Sequence, residues 1–373
     1  KIRAAVLHEI GAPAPYAESR PLRIDTLTLD PPGPGEVLVR IRAAGLCHSD
    51  LSVISGDRPR PIPMALGHEA AGEVEALGEG VGDLAVGDRV VMVFVPSCGH
   101  CMPCMEGRPA LCEPGAAANG AGTLLSGERR LTGAGGAVHH HLGVSAFAEY
   151  AVVSRRSIVR IDEDLSHEEA ALFGCAVITG VGAVVNTAQV EPGSSVAVVG
   201  LGGVGLNCLL GARLVGAREV IAIDPIPAKR ELARQLGADM VFDPGEPGCV
   251  EAVRDATRGG VDYGFEMAGS VQAMDTAYRI TRRGGTTVSA GLSHPARDFA
   301  LKHVSLVAEE RTIKGSYLGG CVPARDIPRL ITLYRQGRLP VDRLLSERVA
   351  LDDINIAFDR LAAGATVRQI VLP

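Results

Sequence analysis

The sequence contains no tryptophan, and aromatic residues make up only 3% of its 373 residues. It also lacks an excess of basic side chains, because 37 Lys and Arg residues are set against 43 Asp and Glu residues, a net charge of −6. A nucleic-acid-binding protein would need a basic domain or stripe, so this class of partner is excluded. No apolar run is long enough to cross the ~30 Å of a bilayer core, which excludes a membrane partner.

The cysteine content indicates thiols rather than disulfides. Nine cysteines are an odd number, which fits poorly with the disulfide framework of a secreted protein. Thiols that are free or bound to a metal imply a reducing compartment. The first residues are strand-like and show none of the features of a targeting segment, so we expect a cytoplasmic protein.

The chain is long enough for two or three domains of about 150 residues. Its first 150 or so residues are β-rich, with period-two alternation over residues 36–42. Residues 98–143 show little apolar periodicity and are predicted to form long irregular loops. From Ser194 onward, short apolar strands such as residues 195–199 alternate with helical stretches such as residues 204–215. This alternation predicts an α/β domain with a doubly wound parallel sheet.

A glycine fingerprint, G-x-G-x-x-G, lies between that strand and that helix, and Asp224 ends the next predicted strand. Glycines here permit a tight turn and a close approach of the backbone to a pyrophosphate, while the carboxylate binds ribose hydroxyls. Asp224 would repel a 2′-phosphate, so NAD is favoured over NADP, with Lys229 as a second ribose contact. The alternative is a glycine-rich turn without a ligand. The fingerprint residues assigned to the cofactor are Gly200, Gly202, Gly203, Val204 and Gly205.

Four cysteines recur at short spacing in the predicted loop region. Four thiolates at such spacing suit a closed tetrahedral zinc site, which would order a segment that has no apolar core. Four protein ligands leave zinc no open position, so this zinc is predicted to be structural; the alternative is a chance cluster of free thiols. The predicted ligands are Cys98, Cys101, Cys104 and Cys112.

A second group of metal-binding residue types is spread along the chain. Cys47 follows a predicted strand, His68 lies in the next segment, and Cys175 precedes the nucleotide-binding region. A catalytic zinc needs three protein ligands and one open position, but sequence alone cannot bring these three residues together.

Taken together, these motifs resemble the zinc-dependent alcohol dehydrogenases of the medium-chain dehydrogenase/reductase superfamily, in the liver-type and class III-like branch. The resemblance runs essentially from end to end in the same motif order. It is carried by the segments Gly45-Leu46-Cys47-His48-Ser49-Asp50, Gly67-His68-Glu69-Ala70-Ala71-Gly72, the four-cysteine loop, Phe173-Gly174-Cys175 with Thr179-Gly180, the glycine fingerprint, and Gly364-Ala365-Thr366-Val367-Arg368.

The resemblance implies a fold with a GroES-like β-rich catalytic domain, residues 1–178 and 319–373, and a Rossmann NAD-binding domain, residues 179–318. The structural-zinc loop would span residues 96–114. With two zinc ions per chain and NAD, the protein would transfer hydride reversibly between a primary or secondary alcohol and the cofactor, giving an aldehyde or ketone. Zinc lowers the pKa of an alcohol bound to it, which prepares the alcohol for hydride loss.

The resemblance also assigns individual roles. Cys47, His68 and Cys175 would bind the catalytic zinc. Asp50 would orient the His68 imidazole, and Glu69 would lie behind the metal. Ser49 would carry the alcohol proton away. The remaining positions implied by the resemblance are Arg368 and His48 near the cofactor phosphates, Thr179 near the nicotinamide, and Phe94 beside Ser49 in the substrate pocket.

Two features depart from or stand outside this pattern. Many relatives have a histidine that completes a proton relay where this chain has Ser52, and serine cannot act as a base near neutral pH as histidine can. The run His139-His140-His141 is predicted to be part of a loop rather than a ligand set. Cys208, Cys249 and Cys321 are left as packing or surface residues.

Two rival functions remain open at this point. A glutathione- or other thiol-dependent formaldehyde dehydrogenase would need extra cations for an anionic adduct, with Arg58, Arg129 and Arg130 as candidates. A zinc or nucleotide-binding module without catalysis would need only the four-cysteine loop or the fingerprint. We expect a homo-oligomer, a dimer in preference to a tetramer, with the apolar run at residues 316–322 as a candidate contact.

Overall fold

The computed structural model describes residues 1–161 and 164–373. Contacts divide the chain into two compact units. The first comprises residues 1–175, 322–331 and 341–373, and the second comprises residues 176–321 and 332–340. The boundaries implied by the sequence resemblance, at 178/179 and 318/319, lie within a few residues of two of these divisions.

The strands and helices follow one another as the two halves of the sequence indicate. The strands are β1 (Ile2–Leu7), β2 (Leu22–Leu29), β3 (Glu36–Gly45), β4 (Met64–Ala65), β5 (Ala70–Leu77), β6 (Arg89–Met92), β7 (Leu131–Gly133), β8 (Gly136–His140), β9 (Tyr150–Ser154), β10 (Ile158–Arg160), β11 (Ser195–Val199), β12 (Glu219–Ile223), β13 (Met240–Phe242), β14 (Val261–Glu266), β15 (Thr281–Ser289), β16 (Thr312–Gly315), β17 (Leu345–Ala350) and β18 (Arg368–Leu372).

The helices are α1 (Tyr16–Ser19), α2 (His48–Ile54), α3 (Met102–Met105), α4 (Glu113–Ala121), α5 (His167–Leu172), α6 (Ala176–Gly182), α7 (Gly203–Leu214), α8 (Pro227–Gln235), α9 (Cys249–Ala256), α10 (Val271–Ile280), α11 (His303–Ala308), α12 (Pro323–Arg335) and α13 (Ile354–Ala362). In the described residues, no helix combines the length and apolar character needed to cross a membrane.

The first unit contains a small closed barrel and a seven-stranded sheet. The barrel order is β1-β2-β7-β8-β4, and the sheet order is β10-β6-β5-β3-β18-β17, with β9 also paired to β3. Strand β3 shows the predicted alternation, because Val37, Val39 and Ile41 are buried while Arg40 is exposed. The largest buried side chains of this core include Phe147 and Phe358, which pack edge to face at 6.1 Å.

The predicted irregular loop between Cys98 and Gly143 is in part wrong. This stretch contains helix α4 and the antiparallel pair β7–β8, in which Leu131 pairs with Val138. These two side chains enter a small core with Ile2 and Leu27. Each strand contributes so few buried apolar residues that no period-two pattern emerges from the sequence.

The second unit is the predicted doubly wound domain. Its six strands are all parallel in the order β13-β12-β11-β14-β15-β16, with helices in the connections. Every residue of the central strand β11 is buried, as expected for a parallel strand that is covered on both faces. The apolar core on one side joins Ile221, Val253 and Ala277.

Candidate functional site

The three scattered ligand candidates of the first unit meet in one place. Cys47 stands at the N-terminus of α2, His68 lies between β4 and β5, and Cys175 follows α5. Their ligand atoms all lie within 4.8 Å of one another, and all three side chains are buried. Folding therefore assembles two thiols and one imidazole into a set that the sequence alone could not join.

The chemistry of this set fits zinc. The Nε2 atom of His68 is buried and has no hydrogen-bond partner among the described residues, as expected of a nitrogen reserved for a metal. Its other nitrogen, Nδ1, lies 3.0 Å from Oδ1 of Asp50, a carboxylate in the first turn of α2. A carboxylate on the far nitrogen fixes the imidazole's tautomer and its orientation toward the metal.

Electrostatics favour the ligating thiolate form of Cys47 but oppose the neutral, ligating form of His68. The neighbouring Cys175 thiol and His68 lower the pKa of Cys47 well below its usual value, against the effect of burial. Burial lowers the pKa of His68, but Asp50 and Cys47 outweigh it and raise this pKa to about 10. A zinc ion bound here would have to displace a proton from His68, which would couple metal binding to pH.

A buried ion pair lies beside this set. Arg368, the first residue of β18, contacts Glu69 through Nη2 and Oε1, and both side chains are buried. A Cβ atom on Gly45 would come within 2.6 Å of the Glu69 carboxylate, so glycine is needed there. The assignments of Arg368 to the cofactor phosphates and of Glu69 to the rear of the metal stay predictions, and the structure shows the two side chains paired.

The neighbouring candidates differ in exposure. Ser49 is half-buried and His48 is exposed at the start of α2, where the Ser52 hydroxyl donates to the His48 carbonyl over 2.8 Å. The ring of Phe94 packs edge-on against the His68 ring, with 5.5 Å between centroids. This contact brings the predicted pocket residue Phe94 against a predicted metal ligand.

The prediction that residues 139–141 are part of a loop is wrong for the first two of them. His139 and His140 belong to strand β8, and His141 follows it directly. His141 is buried, with Nδ1 lying 3.1 Å from Oδ1 of Asp50 and its ring edge-on to that of His68 at 5.5 Å. Sequence reasoning missed His141 because barrel pairing, which brings β8 beside β4, leaves no local spacing signal.

His140 gives a testable pH dependence. Burial lowers its pKa to about 4, so the folded protein keeps the ring neutral while an unfolded chain protonates it near 6.5. Stability is therefore lost as pH falls from about 6.5 to about 4, by roughly 3 kcal/mol in total. His140→Gln keeps an acceptor for the Arg130 amide, which His140 Nε2 accepts at 3.0 Å, but cannot titrate.

We expect thermal unfolding of His140→Gln to show a flatter acid limb than the wild type. The two proteins should have the same pH dependence above pH 7, where His140 is neutral in both states, and this range is the internal control. Parallel acid limbs from pH 6.5 to 4 would contradict the assignment of this sensitivity to His140.

The four predicted structural ligands also converge. The Sγ atoms of Cys98, Cys101, Cys104 and Cys112 all lie within 4.8 Å of one another. Sγ of Cys112 accepts the amide of Cys98 at 3.1 Å and that of Gly115 at 3.3 Å. Amide donors of this kind stabilise thiolates, so the donor set and its surroundings fit a tetrahedral zinc.

In the second unit, different steric constraints explain why glycine occupies the individual positions of the fingerprint. Gly200 has φ +94°, and a Cβ on Gly205 would lie 1.8 Å from the Gly200 carbonyl oxygen. A Cβ on Gly202 would meet no protein atom within 4 Å. Packing within the protein therefore requires the first and last glycines, whereas the space at Gly202 fits the close approach of a pyrophosphate. Gly203 and Val204 open helix α7, whose N-terminal amides favour anions.

Asp224 directly follows β12, and its carboxylate contacts both the fingerprint turn and the connection to α8. Its carboxylate accepts the amide of Leu201 at 2.8 Å and that of Ile226 at 2.9 Å. Lys229 is half-buried in the first turn of α8, and Thr179 is buried in α6. Arg230, which follows Lys229 in α8, donates to the Asp224 carbonyl, a contact that sequence reasoning missed. The three remaining cysteines, Cys208, Cys249 and Cys321, are all buried.

Comparisons with known proteins agree with both units. The family model for the alcohol dehydrogenase GroES-like domain matches residues 33–163, and that for zinc-binding dehydrogenases matches residues 203–336. The chain is 37% identical to an S-(hydroxymethyl)glutathione dehydrogenase of Synechocystis sp., over 100% of this chain and 99% of that protein. It is likewise 37% identical to the class-3 alcohol dehydrogenase of Myxine glutinosa, with the same coverage.

A solved structure gives the same result. The benzyl alcohol dehydrogenase of Acinetobacter calcoaceticus superposes with a TM-score of 0.92 at 34% identity, covering 100% of this chain and 99% of that one. These matches confirm the GroES-like and Rossmann fold class and the zinc and NAD(P) cofactors that go with it. The chain belongs to the zinc-dependent alcohol dehydrogenases of the medium-chain dehydrogenase/reductase superfamily.

Proposed function

We propose that this alcohol dehydrogenase oxidises a small uncharged primary or secondary alcohol with NAD. The observation that carries the proposal is the buried set of Cys47, His68 and Cys175, with the Asp50 carboxylate on the far side of the imidazole. Three such ligands leave a zinc ion one open position for a substrate oxygen. A zinc-binding or nucleotide-binding module without catalysis would not need this set of ligands in addition to the four cysteines.

The residues of the chain have separate tasks in this reaction. When bound, zinc would lower the pKa of the alcohol and NAD would accept the hydride. Cys47 and Cys175 would bind the zinc as thiolates, and Asp50 holds His68 with Nε2 free of other partners among the described residues. Ser49, half-buried two residues after Cys47, would take up the alcohol proton through its hydroxyl.

Oxidation of a hydroxymethyl-thiol adduct is the second candidate, favoured by the names of two relatives. Such an adduct is anionic and needs cations. Arg130 is already paired with Glu36 at 2.8 Å, and Arg129 lies 3.4 Å from Nδ1 of His139. The engagement of Arg130 supports the uncharged alcohol as the better candidate.

A substrate panel tests both candidates. NADH formation is measured with aliphatic, allylic and aromatic alcohols and with S-hydroxymethyl adducts of glutathione. We expect the highest kcat/KM with an uncharged alcohol. A higher kcat/KM with the thiol adduct would replace the first candidate by the second, and a chain inactive with the whole panel would contradict the proposal.

The preference for NAD over NADP rests on the negative charge of Asp224, which would hold the ribose and repel a 2′-phosphate. In Asp224→Asn, the amide oxygen still accepts a backbone hydrogen bond but the charge is gone. We expect the ratio of kcat/KM with NAD to that with NADP to fall at least about tenfold, or about 1.4 kcal/mol. Asp255→Asn, the same change at an exposed residue of α9, is the control. An unchanged ratio in Asp224→Asn would refute the role.

We also infer a cytoplasmic homodimer. None of the nine cysteines forms a disulfide, which fits a reducing compartment. Edge strand β16 is exposed throughout, and its Ile313 and the preceding Val304 and Val307 expose apolar surface, the pattern of a pairing edge. The run at residues 316–322 is a poorer contact than expected, because Ser316, Leu318 and Cys321 are buried.

Light scattering after gel filtration tests the dimer. We expect about twice the chain mass of 38.8 kDa for the wild type and a shift toward the monomer for Ile313→Lys. Val86→Lys changes an equally apolar exposed residue of the first unit and should not alter the mass. A monomeric wild type, or a tetramer unaffected by Ile313→Lys, would refute this arrangement.

A further inference from the structure

We propose that His141 is a positioning residue of the catalytic metal centre, acting through a second imidazole contact to the carboxylate that orients His68. The inference rests on the proposed function, in which zinc binds Cys47, His68 and Cys175. It concerns a side chain that none of the sequence motifs includes.

One carboxylate oxygen joins the three groups. Oδ1 of Asp50 lies 3.0 Å from Nδ1 of His68, 3.1 Å from Nδ1 of His141 and 3.2 Å from the amide nitrogen of Gly67. Asp50, His68 and His141 have relative exposures of 0, 1 and 1%. Burying a carboxylate costs free energy unless N–H groups compensate its charge. Each of these contacts therefore helps to hold the Asp50 carboxylate in its position.

The tautomer of His141 follows from its surroundings. A neutral imidazole carries one N–H, and the carboxylate beside Nδ1 places the proton on that nitrogen. His141 thus presents an N–H to Asp50 at 3.1 Å, an electrostatic contact without the hydrogen-bond geometry that His68 has to the same oxygen. Its ring also packs edge-on against the His68 ring, at 5.5 Å and 89°, so it restrains His68 directly and through Asp50.

The backbone holds His141 firmly in this place. Its amide donates to the Ser145 hydroxyl over 2.9 Å, and its carbonyl accepts the amides of Val144 and Ser145. Leu142 and Ser145 have φ of +52° and +54°, values that non-glycine residues seldom adopt. Such local strain persists only where the surrounding structure enforces it, and here it fixes the histidine at the head of the turn.

The same three side chains could in principle hold a metal of their own, because their ligand atoms lie within 4.8 Å of one another. A metal there would have to bind His68 through Nδ1, the atom that contacts Asp50, while Nε2 serves the Cys47 and Cys175 set. The hydrogen bond from His68 Nδ1 to Oδ1 already engages that nitrogen and favours the positioning role of His141, and the metal count decides between the two roles.

Two variants separate the effect of the His141 N–H group from the effect of its aromatic ring. His141→Phe keeps an aromatic ring against His68 but removes the N–H, whereas His141→Asn places an amide N–H near the position of Nδ1 and removes the ring. Zinc content is measured by mass spectrometry during titration with a chelator, with the four-cysteine zinc as internal reference. The spectrum of the cobalt-substituted catalytic site is recorded in parallel.

We expect His141→Phe to bind the catalytic zinc about 10- to 100-fold more weakly, the range for groups that support metal ligands. Its cobalt bands should shift, and kcat should fall more than KM changes. His141→Asn should recover most of the affinity. All variants should keep the four-cysteine zinc.

Other outcomes would overturn the inference. One is equal retention of the catalytic zinc by the wild type and His141→Phe. Another is a His141→Asn variant that binds this zinc as weakly as His141→Phe does. A third is a third metal ion per chain that is lost when His141 is substituted. A wild type that binds only one zinc would overturn the proposed function as well, which distinguishes the two failures.

Discussion

Cys47→Ser should lower kcat/KM for alcohol oxidation by at least about 10³-fold and reduce the zinc content from two ions per chain to one. The expected size follows from the several kcal/mol that a Lewis-acid metal contributes to a transition state. Serine keeps a short polar side chain but is not an effective zinc ligand at neutral pH, because its hydroxyl stays un-ionised, whereas the pKa of the Cys47 thiol lies well below its usual value. Metal analysis and NADH production on the same sample measure both effects.

Local folding should not obscure this result. Cys47 stands at the N-terminus of α2 but makes no capping hydrogen bond through its side chain, and serine is itself a favoured capping residue. The helix that holds Asp50 should therefore persist in the variant. The loss can then be assigned to the metal rather than to α2.

Cys249→Ser is the matched control, because this thiol is buried in the second unit on α9 and belongs to none of the ligand sets. We expect it to keep two zinc ions and most of the activity. A Cys47→Ser enzyme that keeps wild-type turnover, or keeps both zinc ions, would contradict the assignment of the catalytic metal.

Local spacing explains which parts of the site could be predicted from the sequence. The four cysteines lie within 15 consecutive residues, from Cys98 to Cys112, and the fingerprint lies between a strand and a helix, so each signal is contained in one segment. The four Sγ atoms converge, and the fingerprint lies between β11 and α7, as those patterns predict. The open space beside Gly202, where a Cβ would meet no protein atom, leaves room for the ligand that the fingerprint predicts.

Long-range pairing explains what could not be predicted. Cys175 is more than a hundred residues from His68 in the sequence, and only the resemblance to a family joined them before the structure did. His141 reaches Asp50 because β8 pairs in parallel with β4, immediately before the segment that holds His68. Short strands with one or two buried apolar residues, such as β7, leave no periodic signal from which such pairing could be inferred.

The four-cysteine loop should depend on its metal for order, since it has almost no apolar core. Between Cys98 and Cys112, only Ala110 and Cys112 are buried, while Met102 and Met105 are more than 60% exposed. The thiols also cannot all ionise freely. Backbone N–H donors outweigh desolvation and lower the pKa of Cys98 to about 6, whereas desolvation and neighbouring thiols raise that of Cys104 to about 12. A divalent cation removes this conflict by holding all four as thiolates.

Cys98→Ser should therefore lose the structural zinc and destabilise the first unit by on the order of 4 kcal/mol, the scale on which loss of a metal site acts. This corresponds to a fall of about 10 °C in Tm for a unit of this size. A glutamate-specific protease offers a local readout, because Glu106 is exposed within the loop and is followed by Gly107. We expect faster cleavage after Glu106 in Cys98→Ser and in wild-type protein stripped by a chelator.

Met105→Ser is the control for Cys98→Ser, since it changes an exposed side chain of the same loop that belongs to no ligand set. It should leave the zinc content, Tm and cleavage after Glu106 close to those of the wild type. The catalytic zinc should remain in Cys98→Ser below its Tm, because Cys47, His68 and Cys175 are unchanged. If Cys98→Ser lost its zinc but kept the wild-type Tm and cleavage rate, the loop would be ordered by its own packing and the metal would need another role.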